Sequence, residues 1–192
     1  MGRTASSAGS PPGRPAAHGG IANLHDYRLR ILYQDEGRYS EAEPLLTKAL
    51  PLSRRVLGPS NTNTRGCLVS LAKIRPVQHR YAESESLLRE SLSTRENEGP
   101  YAWQPFERRS LLGLSLMEQS KFAEAEPLLT SGYRGLVERK PALPVTVSLR
   151  EAGERIMRLY NLWGRLDQVA EWRKEREAVE TDVADAMSPT RN

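Results

Sequence analysis

Apolar residues in this chain recur three and four positions apart, in blocks that repeat about every 42 residues. Ala42, Leu45 and Ala49 follow this spacing, which places them on one face of a helix. The surrounding motif occurs as GRYSEAEPLL (37–46), HRYAESESLL (79–88), SKFAEAEPLL (120–129) and, in a weaker form, GRLDQVAEWR (164–173). Its third position is Tyr39, Tyr81, Phe122 and Leu166, at steps of 42, 41 and 44 residues. A fixed period in this range is typical of an array of structural repeats.

Each copy of the motif predicts two helices joined by a short turn. In the first copy, Leu29, Leu32 and Tyr33 share a helix face. That helix is predicted to end at Gly37, because glycine enters the left-handed conformation at low cost. Ser40 is the predicted N-cap of the second helix.

Three residues predict irregularities in this pattern. Pro51 lies well inside the second helix of the first copy, where its ring would clash with the carbonyl four residues earlier, and predicts a kink or an early end. Pro76 predicts that the first helix of the second copy stops or bends near Arg75. His79 occupies the place of the turn glycine and is predicted to adopt the turn conformation.

Small residues recur as regularly as the large ones. We call the third position of the motif the anchor. The small residues are Ala42, Ser84, Ala125 and Val169 three positions after the anchor, and Ala49, Ser91 and Gly132 ten positions after it. Small side chains let helix backbones approach closely, and stacked copies bury faces that one helix pair cannot bury alone. We therefore predict an all-α fold, an α-solenoid of four antiparallel helix pairs. The predicted division is a disordered Gly/Pro/Ser/Ala-rich tail at 1–20, an array over 21–180 with copies at about 22–58, 62–97, 104–139 and 145–179, and a frayed tail at 181–192.

The motif resembles the tetratricopeptide repeat. The resemblance rests on Gly37, Tyr39, Ala42 and Ala49 together with the preceding Leu29 and Tyr33. The longer period, and the linker that begins Leu57-Gly58-Pro59, are similar to the kinesin-light-chain variety of this repeat. Residues 110–139 and 150–173 also resemble the repeat tracts that many bacterial serine/threonine kinases carry C-terminal to their catalytic domain. The resemblance covers about residues 22–178.

The resemblance implies a right-handed superhelix whose first helices line a concave groove for peptides or protein segments. The groove positions of the family fall on Tyr27, Gln34, Lys73, Glu107, Met117, Glu118, Glu154, Arg158 and Asn161. Their charges are mixed, so they favour neither an acidic nor a basic ligand. Tyr27, Lys73 and Met117 are the candidates for side-chain pockets.

Composition and charge narrow the class of protein. Hydrophobic residues make up 38% and charged residues 27%, as in a soluble globular protein, and the net charge is +4. Half of that charge lies in residues 1–20. The sequence has no clustered positive stripe of the kind that indicates nucleic-acid binding. The sequence also has no run of about 18 apolar residues, which a membrane-spanning helix would need. Cys67 is the single cysteine, which excludes an internal disulfide and fits a cytoplasmic location.

The sequence contains none of the common catalytic or metal-binding motifs. The sequence has no glycine-rich phosphate loop, no H-R-D or D-F-G, no G-x-S-x-G, and no C-x-x-C or H-E-x-x-H. His25 lies beside Asp26, but adjacent helical residues point about 100° apart. Cys67 is predicted to be a buried, inert residue. We predict neither an enzyme nor a cofactor or metal site.

The first functional hypothesis is a non-catalytic scaffold that binds a protein or peptide, with no nucleic-acid or membrane partner and with the oligomeric state open. The alternative is a regulatory or sensor fragment of a bacterial serine/threonine kinase signalling protein. Two further hypotheses are an enzyme with an unrecognised site, whose mark would be a deep pocket with perturbed titratable groups, and an RNA-binding helical repeat.

Overall fold

The computed structural model describes residues 38–94, 102–144 and 147–187. In these ranges the chain forms α-helices and no strand. The helices are α1 (Tyr39–Leu57), α2 (Thr62–Ile74), α3 (Tyr81–Ser93), α4 (Gln104–Met117), α5 (Phe122–Glu138), α6 (Leu149–Trp163) and α7 (Leu166–Met187), with 3-10 turns at Arg75–Gln78 and Lys140–Ala142. The tail predicted at 1–20, and the first helix of the first copy, lie outside the described residues.

The helices stack in the order of the chain. Each packs against the one before it, and α2, α4 and α6 also contact one another in sequence. The pairs α2–α3, α4–α5 and α6–α7 belong to successive copies of the motif, and α1 is the second helix of the first copy. The all-α prediction is therefore confirmed for the described residues.

The second helix of every copy begins at the anchor of the motif. The helix starts are Tyr39, Tyr81, Phe122 and Leu166. The prediction that Ser40 caps α1 is wrong, because the helix starts one residue before it and Arg38 occupies the cap position without a side-chain cap. Arg38 instead donates a hydrogen bond from Nε to Oε1 of Glu41 at 2.8 Å, and Arg80 donates similarly to Glu83 at 2.6 Å. These pairs lie at the first turn of each helix, but neither caps its backbone N–H groups.

A left-handed residue lies two positions before three of these helices. The backbone φ angles are 57° at His79, 60° at Ser120 and 77° at Gly164. The prediction for His79 is confirmed. The turn is closed by the backbone N–H of Arg80, which donates to the carbonyl of Arg75 at 2.9 Å.

The proline predictions had different outcomes. α2 ends at Ile74 and is followed by the 3-10 turn, as Pro76 predicted. The early end predicted at Pro51 is wrong, because α1 continues to Leu57. Leu50 is buried on the side of α1 that faces α2, and Pro51 itself is exposed. Packing on the buried side maintains the helix despite the cost of about 3 kcal/mol for an internal proline.

The buried hydrophobic residues form two clusters. The N-terminal core consists of Ala42, Leu46, Leu50, Cys67, Leu68, Leu71 and Ile74. The C-terminal core consists of Ala72, Leu88, Leu111, Leu112, Leu116, Met117, Ala125, Leu129, Tyr133, Leu136, Ala152, Ile156, Leu159, Tyr160, Val169 and Trp172. Cys67 is therefore buried, as predicted.

Glycines allow α4 and α5 to approach closely inside the C-terminal core. A Cβ atom on Gly132 would lie 2.9 Å from both the carbonyl oxygen of Phe106 and the backbone nitrogen of Ser110. A Cβ atom on Gly135 would lie 1.9 Å from Cδ1 of Phe106. The predicted close approach at the small position of the third copy is confirmed at Gly132.

Candidate functional site

The helices α2, α4 and α6 lie side by side, and their polar side chains connect across the gaps. We call their common surface the α2–α4–α6 face. We assign to it the described polar residues Lys73, Glu107, Ser110, Glu118, Arg150, Glu151, Glu154, Arg155, Arg158 and Asn161, of which Ser110 is fully buried. Lys73 Nζ donates to Oε1 of Glu107 at 2.6 Å and so connects α2 to α4.

Two contacts connect α4 to α6. Nη2 of Arg158 lies 2.8 Å from Oε1 of Glu118. Arg155 donates a hydrogen bond from Nη1 to Oγ of Ser110 at 3.0 Å. Burial lowers the pKa of Arg155, and the nearby charges of Glu151 and Glu107 act in the opposite direction. The three helices thus form one connected surface.

Cations and carboxylates are paired along this face. Besides the pairs between helices, Nη2 of Arg155 lies 3.2 Å from Oε2 of Glu151, and Arg150 Nε lies 2.8 Å from Oε1 of Glu154. Because these charges are locally balanced, the face carries no strong field of either sign. This arrangement agrees with the mixed charge expected from the sequence.

Most of the predicted groove residues within the described part lie on this face. Lys73, Glu107, Glu118, Glu154 and Arg158 are ion-paired as above. Asn161 is exposed near the end of α6. Tyr27 and Gln34 lie outside the described residues.

The prediction that Met117 contributes a side-chain pocket on the groove needs correction. Its side chain is only 1% exposed and belongs to the C-terminal core. Met117 is the last residue of α4, and its side chain packs among the apolar residues of the core rather than on the surface. An unbranched thioether side chain suits such an interior position.

Sequence reasoning missed Ser110, Glu151 and Arg155. Arg155 lies four residues after Glu151 and three before Arg158, so helical spacing places the three on one side of α6. That signal was present in the sequence. The contact of Arg155 with Ser110 has no such signal, because it depends on how α4 and α6 pack.

The second helices carry a corresponding set of ion pairs. Arg54 on α1 donates to both carboxylate oxygens of Glu90 on α3, at 2.9 and 2.5 Å. The pairs Arg89–Glu124, at 3.2 Å, and Arg134–Glu175, at 3.4 Å, connect α3 to α5 and α5 to α7. Charged contacts therefore connect successive copies on both sides of the stack.

A cleft of about 400 Å³ lies between α5 and α7, and the sequence did not predict it. Its lining includes Glu126, Thr130, Arg134, Tyr160, Glu171 and Trp172. The Tyr160 hydroxyl donates to Oε1 of Glu126 at 2.7 Å. Burial, together with this hydrogen bond, raises the pKa of Tyr160 to about 12. Arg134 already occupies part of the cleft, with its guanidinium 5.2 Å from the centre of the Trp172 ring.

The described residues contain no group of three or more His, Cys, Asp and Glu side chains that could hold a metal ion. None of the helices described is both long and apolar enough to cross a membrane.

Comparison with known protein families shows which family the repeats resemble. Residues 23–97 match the tetratricopeptide repeat family. This part of the chain carries tetratricopeptide repeats. The resemblance inferred from Gly37, Tyr39, Ala42 and Ala49 is thereby confirmed, and tetratricopeptide repeats form scaffolds for protein–protein interaction. No curated protein matches the chain.

Solved structures of repeat proteins have the same fold. Two structures of nearly identical TPR-like repeats from a Podosopora anserina kinesin light chain align with TM-scores of 0.64 and 0.62, at 19% and 17% identity. The alignments cover 87% and 88% of this chain and 77% and 80% of those chains. BtubC (BKLC) of P. vanneervenii aligns with a TM-score of 0.68 at 14% identity, covering 88% of this chain and 67% of that one. At these identities the likeness concerns the fold, and it confirms the predicted tetratricopeptide-repeat solenoid.

Proposed function

We propose that this chain is a non-catalytic scaffold that binds a segment of a partner protein on the α2–α4–α6 face. The observation that carries the proposal is the continuity of this face. Lys73–Glu107 connects the first two helices, and Glu118–Arg158 connects the last two. A connected, ordered surface lowers the entropy cost of binding an extended segment, because little of the protein must be ordered on binding.

The exposed part of the face offers groups that can recognise a peptide. The Arg158 side chain is 57% exposed although it pairs with Glu118, and Asn161 is exposed three residues further along α6. An arginine and an amide at this spacing can bond to backbone carbonyls and side chains of an extended segment. The proposed contact residues are Lys73, Glu107, Glu118, Glu154, Arg158 and Asn161, with Tyr27 and Gln34 as predictions from the sequence.

Charge balance favours a partner segment of mixed or low net charge. An acidic or a basic segment would have to displace existing pairs such as Lys73–Glu107, which are already at hydrogen-bond distance. Hydrogen bonds and shape are then the principal sources of specificity. The alternative role, regulation beside a bacterial serine/threonine kinase, stays a prediction from the sequence, as do the cytoplasmic location and the exclusion of nucleic acid.

Affinity capture with matched variants tests the proposal. The double variant Arg158→Glu/Asn161→Ala changes the α2–α4–α6 face, and Arg173→Glu makes the same charge change at an exposed position on α7. We expect a partner that is captured by the wild type and by Arg173→Glu and that is reduced at least tenfold with the double variant. Equal capture by all three proteins would overturn the proposal. Circular dichroism of each variant checks that the fold is retained.

A further inference from the structure

The hydrophobic interior of the described chain is divided along α2. The N-terminal core contains seven buried residues, all from α1 and α2. The C-terminal core contains sixteen, and Ala72 is the one residue that α2 contributes to it. No buried hydrophobic residue of the described ranges belongs to both cores. The half-buried Leu87 on α3 packs against each of them.

The two sides of α2 differ in the apolar residues that they bury. Toward α1 it presents four buried residues, of which Leu68, Leu71 and Ile74 are at most 3% exposed. Toward the C-terminal core it presents Ala72 and the half-buried Val69. Hydrophobic stabilisation scales with the buried apolar area, and the buried apolar side chains that α2 contributes to the N-terminal core are larger and more numerous than those it contributes to the C-terminal core.

Polar contacts make up much of the joint between the two cores. The Ser84 hydroxyl donates to the carbonyl oxygen of Ala72 at 2.8 Å. The partly exposed pairs Lys73–Glu107 and Arg54–Glu90 cross the same joint on opposite sides of the stack. Exposed ion pairs contribute little to stability, because water and salt screen them.

The backbone at the joint also interrupts the helical geometry. α2 ends at Ile74, a 3-10 turn follows over Arg75–Gln78, and His79 is left-handed. A short segment of changed backbone geometry can absorb a rotation between two packed units.

We propose that this joint is a hinge, at which α1 and α2 move and unfold as one unit while α3 to α7 stay folded. If the α2–α4–α6 face binds a partner, as proposed above, movement at the hinge changes the width of that face. Lys73 and Glu107, which both belong to the face, lie on opposite sides of the joint. That consequence rests on the proposed function, but the hinge does not. Its test uses the chain without a partner and can fail independently of any binding experiment.

Urea unfolding measured by two signals tests the hinge. All three tryptophans, Trp103, Trp163 and Trp172, are in or against the C-terminal core, whereas far-ultraviolet circular dichroism reports every helix. We expect helical signal to be lost at lower urea than the change in tryptophan fluorescence. Superimposable curves from the two signals would overturn the proposal, because they indicate one cooperative unit.

Two matched leucine truncations make the test specific. Leu68 in the N-terminal core and Leu129 in the C-terminal core are both 0% exposed. Leu68→Ala should lower the first transition by about 1–2 M urea and leave the fluorescence midpoint in place. Leu129→Ala should lower the fluorescence midpoint by a similar amount. A shift of the fluorescence midpoint by Leu68→Ala as large as its circular dichroism shift would contradict the hinge.

Hydrogen exchange of the wild type provides a readout that does not depend on any variant folding. Amides in 42–57 and 62–74 should exchange together and faster than the central amides of α4 and α5. Equal protection in both regions would also overturn the proposal.

Discussion

At the scale of single residues, the turns before α3, α5 and α7 each contain a left-handed residue. The chain supplies glycine at Gly164 but His79 and Ser120 in the two preceding copies. A residue with a Cβ atom is strained there by about 1–2 kcal/mol. The turn position is therefore a site where the chain is less stable than it could be.

We expect Ser120→Gly to raise the free energy of unfolding by about 0.5–1 kcal/mol. Relief of the strain at φ 60° exceeds the added entropy of glycine in the unfolded chain. Ser86→Gly is the matched control, at an exposed position inside α3, and should lower stability by about 0.5 kcal/mol. Urea unfolding measures both variants. A loss of stability in Ser120→Gly comparable to that of Ser86→Gly would show that the turn is not strained.

Gly135 lies directly against the ring of Phe106 where α5 packs on α4. An added Cβ atom would lie 1.9 Å from Cδ1 of Phe106. Gly135→Ala should lower the free energy of unfolding by about 1–3 kcal/mol, measured by urea unfolding with tryptophan fluorescence. Phe106→Leu removes the ring, so the loss in the double variant should be smaller than the sum of the two single losses. Additive losses would place the strain elsewhere.

The raised pKa of Tyr160 makes the stability of the fold depend on pH. Its pKa of about 12 lies above the ordinary value of 10, chiefly because the hydroxyl is buried and also because it donates to Glu126. A raised pKa means that the folded state favours the neutral phenol. The resulting stabilisation is complete below pH 10 and is lost as the pH rises through about 12.

An ultraviolet titration of the folded protein should show a late tyrosine ionisation that Tyr160→Phe removes. Glu126→Gln should move that ionisation to lower pH without returning it to the ordinary range, because burial remains. Persistence of the late step in Tyr160→Phe would assign it to another tyrosine.

At the scale of elements, a charged cluster anchors the end of α2. Arg75 is 7% exposed and pairs with Glu43 on α1, whose other carboxylate oxygen accepts from Gln78 Nε2 at 2.5 Å. Hydrogen bonds from Gln78 and Arg75 lower the pKa of Glu43, while burial opposes them. A lowered pKa stabilises the fold above the ordinary value of 4.5, and this contribution is lost as the pH falls below it.

We expect Glu43→Gln to lower the free energy of unfolding at pH 7 by about 1–2 kcal/mol, because the buried Arg75 loses one of its two carboxylate partners and keeps only the more exposed Glu83. The difference from the wild type should shrink as the pH falls through the range where Glu43 takes up its proton. Glu41→Gln is the control, since Glu41 is exposed and pairs with Arg38 within the same turn; its effect should be smaller. A difference that stays constant down to pH 3 would contradict the electrostatic origin.

Local sequence signals predicted the described elements well. The 3.6-residue period placed the helices, and Pro76 and His79 placed the break after α2. The same signals failed for the N-cap at Ser40 and for the early end at Pro51, where the burial of Leu50 outweighs the local preference. The kink that Pro51 also predicts stays a prediction. Residue preferences are small compared with the packing of a whole helix face.

At the scale of the whole molecule, the sequence could not predict contacts between copies. Its period implied that Lys73 and Glu107 lie on first helices, but not that their side chains meet at 2.6 Å. The same holds for Met117, whose place in the repeat indicated the groove and whose side chain is in the core. Such outcomes depend on rotations of one helix against the next, which no local pattern contains.

The pair Glu118–Arg158 allows the structural and binding roles of the α2–α4–α6 face to be separated. Charge reversal of either residue places like charges together and should lower stability by about 0.5–1 kcal/mol, because the pair is partly exposed. The exchanged variant Glu118→Arg/Arg158→Glu restores opposite charges, and urea unfolding should show that most of the loss is recovered.

Partner capture by the exchanged variant then distinguishes two roles of Arg158. If the partner contacts Arg158 directly, the exchanged protein is stable but does not bind, whereas a pair that only holds α4 to α6 recovers binding along with stability. We expect the first result, because Arg158 is the more exposed member of the pair, and recovered binding would limit the proposed contact residues to the rest of the face.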